Sequence, residues 1–217
     1  RSFTQILEEQ ALAGIVELVP TYRSVLVHYD PLQIDPRELE EKIKELTGSL
    51  ADIELAAPEV TMVPVCYGGE FGPDLDHVCQ HTGLSAEEVI QLHTGTNYLI
   101  YMLGFTPGFS YLGGMDERLA TPRLKTPRPH IPAGSVGIAG KQTGIYPIDS
   151  PGGWQLIGRT PLKLYDPYRE PPVLLKAGNY VRFVPITKAE YEEIAASVAA
   201  GTYEVQQEPL TEEGTAQ

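Results

Sequence analysis

Hydrophobic and polar positions in the first part of the chain change from helical to strand-like spacing and back. Residues 2–13 fit a short helix, and the β-rich runs GIVELVP and RSVLVHYD follow on either side of a Pro-Thr-Tyr turn. Asp35 then predicts the start of a second helix, because its short polar side chain can cap free backbone N–H groups and Pro36 suits the first helical position. Leu39, Ile43 and Leu46 continue this helix at the expected spacing.

The run EVTMVPVCY, residues 59–67, alternates like one further strand. Two strands, a helix and another strand make up most of a ferredoxin-like plait whose opening strand is missing. The pattern therefore predicts an α+β, ferredoxin-like domain over residues 1–66.

The remaining pattern predicts a mainly-β second domain over residues 67–204. A glycine-dense link, YGGEFGPD, leads into two short helical patterns, and the second of these begins with a capping box at Ser85 and Glu88. From the hydrophobic strand NYLIYMLGF onwards, short apolar pieces separated by turns are typical of a barrel or sandwich, with AGNYVRFVPI as a closing strand. An amphipathic helix follows Thr187, and residues 205–217 are expected to be an acidic, mobile tail.

Composition excludes several classes of function. The 217 residues carry a formal net charge of −13, which argues against nucleic acid because phosphate binding needs clustered Lys and Arg. No apolar run approaches the roughly 20 residues that cross a bilayer. Two cysteines in a chain of this length indicate a reducing compartment, so we expect a cytoplasmic protein.

The stretch from Asn97 to Pro161 holds the strongest functional signal. Glycine or proline recurs every few residues, yet apolar and aromatic side chains lie between them, which a flexible linker lacks. Ordered loops of this kind usually shape a binding surface. The side chains available for packing are Phe105, Phe109, Tyr111, Ile138, Ile145, Tyr146 and Trp154.

Nucleotide motifs in this stretch are incomplete. GSVGIAGKQT, residues 134–143, has Gly-Lys but is followed by glutamine, and a serine stands where the first glycine of a phosphate loop belongs. The spacing of Gly134, Gly137 and Gly140 also lacks the strand–turn–helix setting of a dinucleotide site. A tight β-hairpin loop is the favoured interpretation.

Catalytic serine and metal motifs are equally weak. GFSYL around Ser110 misses the final glycine of a nucleophile elbow, and Ser135 has only His130 nearby in sequence as a base. His77, Cys79 and His81 form H-x-C-x-H, but on a helix the cysteine points away from the shared histidine face. We therefore predict turn serines and no metal site.

Three arginines stand out in an acidic chain, each beside a proline. Arg123, Arg128 and Arg159 occur as Thr-Pro-Arg, Thr-Pro-Arg and Arg-Thr-Pro. Fixed backbone angles could direct their planar guanidinium groups toward a carboxylate or phosphate. Alternatively, they pair with local Asp and Glu and stiffen the loops.

Several long blocks in this stretch resemble one known family. GFTPGFSYLGG, PAGSVGIAG, QTGIYP and SPGGWQLIGRTP are similar to the signature blocks of the KipI-like family, whose members are also called the B-type subunit of 5-oxoprolinase or allophanate hydrolase subunit 1. VPTYRSVLVHYDP and VCYGGEFGPDLDHVCQHTGLS resemble it as well, so the likeness covers nearly the whole chain. Members of the family begin with a further strand before RSFTQILEEQ, which agrees with the missing opening strand.

The resemblance implies a fold, partners and a reaction. The fold is a ferredoxin-like domain followed by a cyclophilin-like β-barrel, and the partners are a barrel-containing KipA-like subunit, which is the C-type component, and a LamB/YcsF-like subunit, which is the A-type component. Together such proteins use ATP to open 5-oxo-L-proline to L-glutamate. On this basis we expect one component of a lactam hydrolase, inactive alone, which forms one wall of a site shared with the KipA-like subunit.

The resemblance also implies site residues and alternatives. Substrate contacts would come from Phe105, Pro107, Gly108, Phe109, Tyr111, Arg128, Ser135, Gln142 and Tyr146, and partner contacts from Arg123, Trp154 and Arg159; the residue that transfers protons is left open. Relatives named for kinase inhibition suggest instead an inhibitor of a sensor histidine kinase, anchored by Phe105, Phe109 and Trp154. A urea-carboxylase-like carboxyltransferase subunit is a further alternative, and a proline isomerase would rest on barrel similarity alone.

Overall fold

The computed structural model of the chain describes residues 2–21, 23–48 and 57–210, and these divide into two units between Ala57 and Pro58. In the first unit, α1 (Ser2–Gln10) precedes a hairpin of β1 (Ile15–Pro20) and β2 (Val25–Tyr29), and α2 (Pro36–Gly48) follows. The two strands pair antiparallel. The predicted helix, hairpin and second helix are therefore confirmed.

Local chemistry explains where α2 begins and what it packs on. The Asp35 carboxylate accepts a hydrogen bond from the backbone N–H of Arg37 at 2.9 Å, as expected of a residue that caps a helix N-terminus. Leu39 on α2 and Leu7 on α1 are buried, and the two helices contact each other. These apolar contacts form the core of the first unit.

The second unit is built around an eight-stranded sheet. The eight strands are β3 (Glu59–Tyr67), β4 (Tyr98–Leu103), β5 (Ser110–Gly113), β7 (Ser135–Ala139), β8 (Gln142–Ile145), β10 (Gln155–Arg159), β11 (Tyr180–Ile186) and β12 (Gln207–Pro209). Seven of them follow the order β5-β4-β11-β3-β10-β7-β8, and β12 pairs with β3 beside them. The terminal strands β5 and β8 contact each other, so the sheet curls into a nearly closed barrel.

Alternating apolar residues of these strands fill the barrel interior. Val63, Ile100, Ile138 and Phe183 are fully or almost fully buried, and they belong to one continuous core. The mixed α+β fold with a barrel-like sheet is thus confirmed. A separate ribbon of β6 (Arg128–Ile131) and β9 (Ser150–Gly152) contributes Ile131 to the second apolar cluster, where it joins Tyr146 and Leu156.

Helices cover parts of the barrel at the predicted places. The helices are α3 (Leu75–Thr82), α4 (Ala86–Thr94) and α5 (Lys188–Ala199). Capping boxes begin α4 at Ser85 and α5 at Thr187, as the sequence predicts. In the described part of the chain, no helix has both the length and the apolar character that a membrane crossing requires.

The ferredoxin-like plait of the first domain is not confirmed. The strand that was to complete it, β3, instead lies parallel to β11 and antiparallel to β10 and β12, all in the second unit. Its alternating pattern identifies a strand but not the partner, since pairing over such a distance leaves no local signal. Placing residues 59–66 in the first domain was therefore wrong. Residues 49–56, also assigned to that domain, lie outside the described residues.

The beginning of the predicted mobile tail is also different. Gln207–Pro209 forms β12, in which Glu208 is opposite Val60 on β3. Gln206 extends this contact, because its carbonyl accepts a hydrogen bond from Met62 at 3.0 Å. Backbone hydrogen bonds therefore hold residues 206–209, and residues 211–217 of the predicted tail lie outside the described residues.

Candidate functional site

The β7–β8 hairpin has an inner face toward the barrel core and an outer face away from it. Val136 lies opposite Ile145, and both belong to the core, so neighbouring positions on each strand point outward. The outward pair is Gly137 opposite Gly144. Ser135, Gln142 and Tyr146, three predicted site residues, share this outer face by the same alternation.

The paired glycines make a flat floor for Trp154. A Cβ atom on Gly144 would lie 3.1 Å from the Trp154 ring, and one on Gly137 would lie 3.2 Å from the Trp154 Cβ. A larger residue at either position would therefore push the indole away. This close approach explains why both strands carry a glycine at these positions.

Two rings pack against the indole, and two more pack against one of these, Phe109. Ring centroids of Phe109 and Tyr146 lie 5.9 Å and 6.1 Å from that of Trp154, in edge-to-face arrangements. Phe105 and Tyr111 lie 5.6 Å and 5.2 Å from Phe109. We call this set the aromatic face: Phe105, Phe109, Tyr111, Tyr146 and Trp154.

The loop before β5 presents one of these rings to solvent. Phe105 has a positive φ of 68° and Gly108 one of 80°, and Phe109 donates a backbone hydrogen bond to the Thr106 carbonyl at 3.0 Å. This tight turn leaves Phe105 72% exposed and Phe109 buried. The predicted apolar shelf of Phe105, Pro107, Gly108, Phe109 and Tyr111 is thus one loop and the start of one strand.

Arg128 is held by an ion pair with Asp74, which the sequence did not single out. Its Nη2 donates to Asp74 Oδ1 at 2.7 Å, and its Nη1 donates to the Trp154 carbonyl at 3.3 Å. Asp74 Oδ2 also accepts from the Leu156 backbone N–H at 2.7 Å. Both side chains are largely buried, so the pair fixes the backbone from the Trp154 carbonyl to the Leu156 N–H.

The sequence around Asp74 suggests a different role, that of a helix cap. It directly precedes α3, where an aspartate is typical of a helix cap, but its side chain makes no capping bond there. The carboxylate is used instead by residues 54 and 82 positions later in the chain. Only the fold reveals that role.

The other two predicted arginines lie at different places. The Arg123 guanidinium carbon is 6.0 Å from the Trp154 ring centroid, and Arg123 is exposed. Arg159 is paired across the sheet with Ser135 and lies 6.0 Å from the Phe71 ring, at the far end of β10 from Trp154. Of the three arginines, only Arg123 and Arg128 therefore lie beside Trp154.

The polar side chains near the aromatic face differ in whether they are buried and have hydrogen-bond partners. Ser135 is fully buried, and its Oγ has no hydrogen-bond partner among the described residues. Burial raises the pKa of Tyr146, while a backbone hydrogen bond at Trp154 and the charges of Arg123 and Arg128 oppose the rise. Gln142 is half-buried at the turn end of β8, four residues before Tyr146.

Among the described residues, neither Ser110 nor Ser135 is hydrogen-bonded to a side chain that could act as its base. His130 contacts Asp149 at 3.1 Å in an exposed pair, whereas Ser135 is buried. Ser110 Oγ likewise has no hydrogen-bond partner in the described ranges. A serine nucleophile would need such a partner to take its proton.

The near-motif for phosphate forms the turn of the β7–β8 hairpin, as predicted. Ala139 lies opposite Gln142, and Gly140 supplies a positive φ of 59°. Lys141 pairs with Glu117 at 2.6 Å. This loop does not fit the phosphates of ATP, because it opens no helix and its lysine is bound to a carboxylate.

The H-x-C-x-H run also has the predicted geometry. His77 and His81 are exposed on α3 with ring centroids 6.5 Å apart, while Cys79 is half-buried against the core. Over residues 2–21, 23–48 and 57–210, no group of three or more His, Cys, Asp and Glu could hold a metal ion.

A buried polar chain on the inner face was missed from the sequence. Tyr67 Oη lies 2.7 Å from His93 Nδ1, and His93 Nε2 lies 2.7 Å from Thr143 Oγ1. Because Thr143 donates to the Gly137 carbonyl at 3.1 Å, it accepts from His93, and Tyr67 donates to Nδ1. Desolvation lowers the pKa of this fully buried histidine to about 3, so the ring is neutral.

Comparison with known proteins adds a family to this geometry. The family model for the carboxyltransferase domain, subdomain C and D, matches residues 1–175. The B-type subunit of 5-oxoprolinase from Bacillus subtilis is 49% identical over 199 residues, which cover 85% of this chain and 81% of that protein. Its counterpart from Escherichia coli O157:H7 is 46% identical over 177 residues, covering 80% and 79%.

More distant relatives are much longer proteins. The urea amidolyase of Saccharomyces cerevisiae is 23% identical over 236 residues, covering 92% of this chain and 12% of that protein. The crystal structure of the K. lactis urea amidolyase superposes with a TM-score of 0.71 at 21% identity, over 95% of this chain and 14% of the other. These matches support the shared fold.

Two solved structures are closer in sequence. A conserved uncharacterized protein from Pyrococcus horikoshii is 50% identical with a TM-score of 0.60, covering 88% of this chain and 87% of that one. The protein TTHA0988 is 39% identical with a TM-score of 0.75, covering 85% and 36%. By its family match and its identity to several relatives over most of its length, the chain belongs to the carboxyltransferase domain, subdomain C and D, family and is similar to the B-type subunit of 5-oxoprolinase.

Proposed function

We propose that this protein is the B-type subunit of an ATP-dependent 5-oxoprolinase that converts 5-oxo-L-proline to L-glutamate. The observation that carries the proposal is the 44–49% identity to three proteins that bear this name, over at least 80% of this chain. The relatives named for urea carboxylase or urea amidolyase are 23–27% identical and match through 12% of their own length. A carboxyltransferase role is therefore the weaker candidate.

The chemistry favours a shared site over a self-sufficient one. A lactam is a resonance-stabilised amide, so its opening at neutral pH needs activation of the carbonyl. In the described residues, the serines have no paired base and the phosphate-like loop holds its lysine against Glu117. We therefore infer that ATP binds elsewhere in the complex and that this protein is inactive alone.

The aromatic face supplies one wall of that shared site. Phe105, Pro107, Gly108, Phe109 and Tyr111 would form an apolar shelf, which suits one side of a small ring. Tyr146, Gln142 and Ser135 would supply polar contacts from the same outer face of the hairpin. Arg128 would position Trp154 through the backbone, since its guanidinium is already bound to Asp74.

Two partner proteins would complete the enzyme. The KipA-like subunit would cover the aromatic face, with Arg123, Trp154 and Arg159 among its contacts, and the LamB/YcsF-like subunit would complete the complex. We also propose a cytoplasmic location, in a reducing compartment where Cys66 and Cys79 remain free thiols. A ferredoxin-like first domain and a cyclophilin-like barrel remain the fold that we propose.

Reconstitution tests the proposal directly. The chain is co-expressed with the products of neighbouring genes that encode the KipA-like and LamB/YcsF-like partners, and release of glutamate from 5-oxoproline is measured with ATP present. We expect activity in the full set and loss of activity when this chain is omitted. Full activity without it would contradict the proposal, and recovery of a histidine kinase as the sole partner would favour the inhibitor function.

Substitutions of residues beside the aromatic face then test whether this face forms a wall of the shared site. Arg128→Gln should reduce kcat/KM by roughly tenfold or more, since a largely buried ion pair that orients a site wall is lost. Asp74→Asn should give a similar loss, and the double variant should lose little more, because the two side chains act as one unit. Full activity in both Arg128→Gln and Gln142→Ala would eliminate the proposed wall.

A further inference from the structure

Among the cations near the aromatic face, Arg123 differs from Arg128 in having no carboxylate partner in the described part of the chain. Arg128 is neutralised by Asp74, and Arg118 and Lys141 each pair with a carboxylate within 2.7 Å. Arg123 instead lies over the indole of Trp154. In a chain with a net charge of −13, Arg123 therefore remains available to an anionic ligand.

Its setting prepares Arg123 to bind an anion. The Arg123 guanidinium lies 6.0 Å from the Trp154 ring centroid and has no carboxylate partner among the described residues, so its N–H groups remain available to a further ligand. The attraction between the cation and the ring also favours one position of a flexible side chain before any ligand arrives, which reduces the entropy lost on binding. The backbone beside it is fixed as well, since Gln155 Nε2 donates to the Pro122 carbonyl at 2.8 Å.

The surroundings of Arg123 define the kind of anion. Trp154 and Tyr111 are half-buried and Phe105 is exposed, whereas the buried rings of Phe109 and Tyr146 lie 5.9 Å and 6.1 Å from Trp154 and support it. A compact ring that carries a carboxylate would place its ring against these aromatics and its carboxylate at the guanidinium. Planar donors suit the two oxygens of a carboxylate in a bidentate arrangement.

We propose that Arg123, which lies over the Trp154 ring, recognises the carboxylate of 5-oxoproline and so determines specificity for a lactam that carries an acid group. This inference rests on the proposed function and names the substrate contact within that site. It changes the expected role of Arg123 from a partner contact to a substrate contact. The lactam ring then lies along the aromatic face toward the site of carbonyl activation.

The test uses the reconstituted complex with Arg123→Gln, Arg123→Lys and a matched control, Lys125→Gln. Lys125 is an exposed cation two residues away in the same segment. Arg123→Gln should raise KM for 5-oxoproline by roughly tenfold to a hundredfold, the value of a hydrogen bond to a charged group, and leave KM for ATP unchanged. Arg123→Lys should fall between, and Lys125→Gln should match the wild type.

A ligand without the carboxylate separates loss of carboxylate recognition from general damage to the site. 2-Pyrrolidinone has the same lactam ring without the carboxylate, so it should inhibit wild-type complex weakly. In Arg123→Gln, the preference for 5-oxoproline over 2-pyrrolidinone should shrink by the same factor as KM rises. A purely structural change would affect both ligands alike.

The remaining outcomes overturn the inference in distinguishable ways. If the complex needs this protein but Arg123→Gln leaves KM for 5-oxoproline unchanged, the carboxylate binds elsewhere and the proposed function stands. If Arg123→Gln prevents assembly on size-exclusion chromatography, or raises both KM values equally, Arg123 is a partner or structural contact. If the complex is fully active without this protein, the proposed function itself fails.

Discussion

The two faces of the β7–β8 hairpin use polar groups in opposite ways. On the inner face, Tyr67, His93 and Thr143 form a chain that ends on the Gly137 carbonyl, and every polar hydrogen in it has an acceptor. On the outer face, the Ser135 hydroxyl is buried without a partner among the described residues, and Arg123 lies on an indole. Complete pairing indicates a structural role, whereas incomplete pairing marks the side that awaits a ligand or partner.

The inner and outer faces of the β7–β8 hairpin also differ in packing. The inner face carries the β-branched and aromatic side chains of a barrel core, with Val136, Ile138 and Ile145 fully buried. The outer face carries Gly137 and Gly144, on which Trp154 rests. Substitutions on the inner face should therefore change stability, and those on the outer face should change substrate binding.

The largest effect is expected for His93→Leu on the inner face. Loss of the ring leaves the buried Tyr67 hydroxyl without its acceptor and disturbs a stack with Phe183 at 4.4 Å, so unfolding free energy should fall by about 3 kcal/mol. Urea denaturation measures the change. The exposed His81→Gln should stay within about 0.5 kcal/mol of wild type, and an equal loss in both variants would refute the assignment.

Acid should destabilise the wild type through the same residue. The folded pKa of His93 is lowered to about 3 from 6.5, so the unfolded chain binds the proton more readily, and stability present above pH 6.5 is lost as pH falls. Between pH 7 and pH 5, the wild type should lose about 2 kcal/mol more than His93→Leu, since exposed carboxylates contribute equally to both. If the unfolding free energy changed with pH in the same way in both proteins, His93 would be exposed or already charged in the folded state.

An intermediate effect, mainly on binding, is expected for Gly144→Ala on the outer face. The new methyl would lie 3.1 Å from the Trp154 ring and must displace it by a few tenths of an ångström. KM for 5-oxoproline should rise by roughly three- to tenfold, while unfolding free energy changes by about 1 kcal/mol or less. Trp154 is the only tryptophan in the chain, so a shift in its fluorescence reports the displacement.

Gly48→Ala is the matched control, because a Cβ there meets nothing within 4 Å. It should leave both KM and tryptophan emission unchanged. A loss of stability without a change in KM for Gly144→Ala would assign the glycine floor to folding alone.

The smallest effect is expected for Lys141→Gln at the hairpin turn. Its pair with Glu117 is exposed on both sides, so stability should change by less than about 0.5 kcal/mol. KM of the assembled enzyme for ATP should not change. A tenfold rise in that KM would restore the phosphate-loop interpretation.

Local patterns were enough to predict most helices and strands. Capping residues at Asp35, Ser85 and Thr187 begin helices where the sequence placed them, because these signals act within one turn. The aromatic face was also predictable in part, since its residues occur in one Gly/Pro-rich stretch. What failed was the pairing of β3, which depends on strands far along the chain.

The same limit applies to the site. His93 is an ordinary residue on the pattern of α4, and Asp74 looks like a helix cap; each obtains its role from partners 26 or more positions away. Among the three arginines, sequence could not separate Arg123, which lies over Trp154, from the ion-paired Arg128, because both follow Thr-Pro. Only their distances to Trp154 and Asp74 distinguish them.

The position of β3 has a consequence for biosynthesis. Glu59, at the start of this strand, donates a backbone hydrogen bond to Asn179, 120 residues later, and the strand is parallel to β11. A nascent chain must therefore carry an unpaired apolar strand through much of its translation, until the last barrel strands leave the ribosome. Chaperone demand should be highest in that interval, and any truncation before Ile186 should yield insoluble protein.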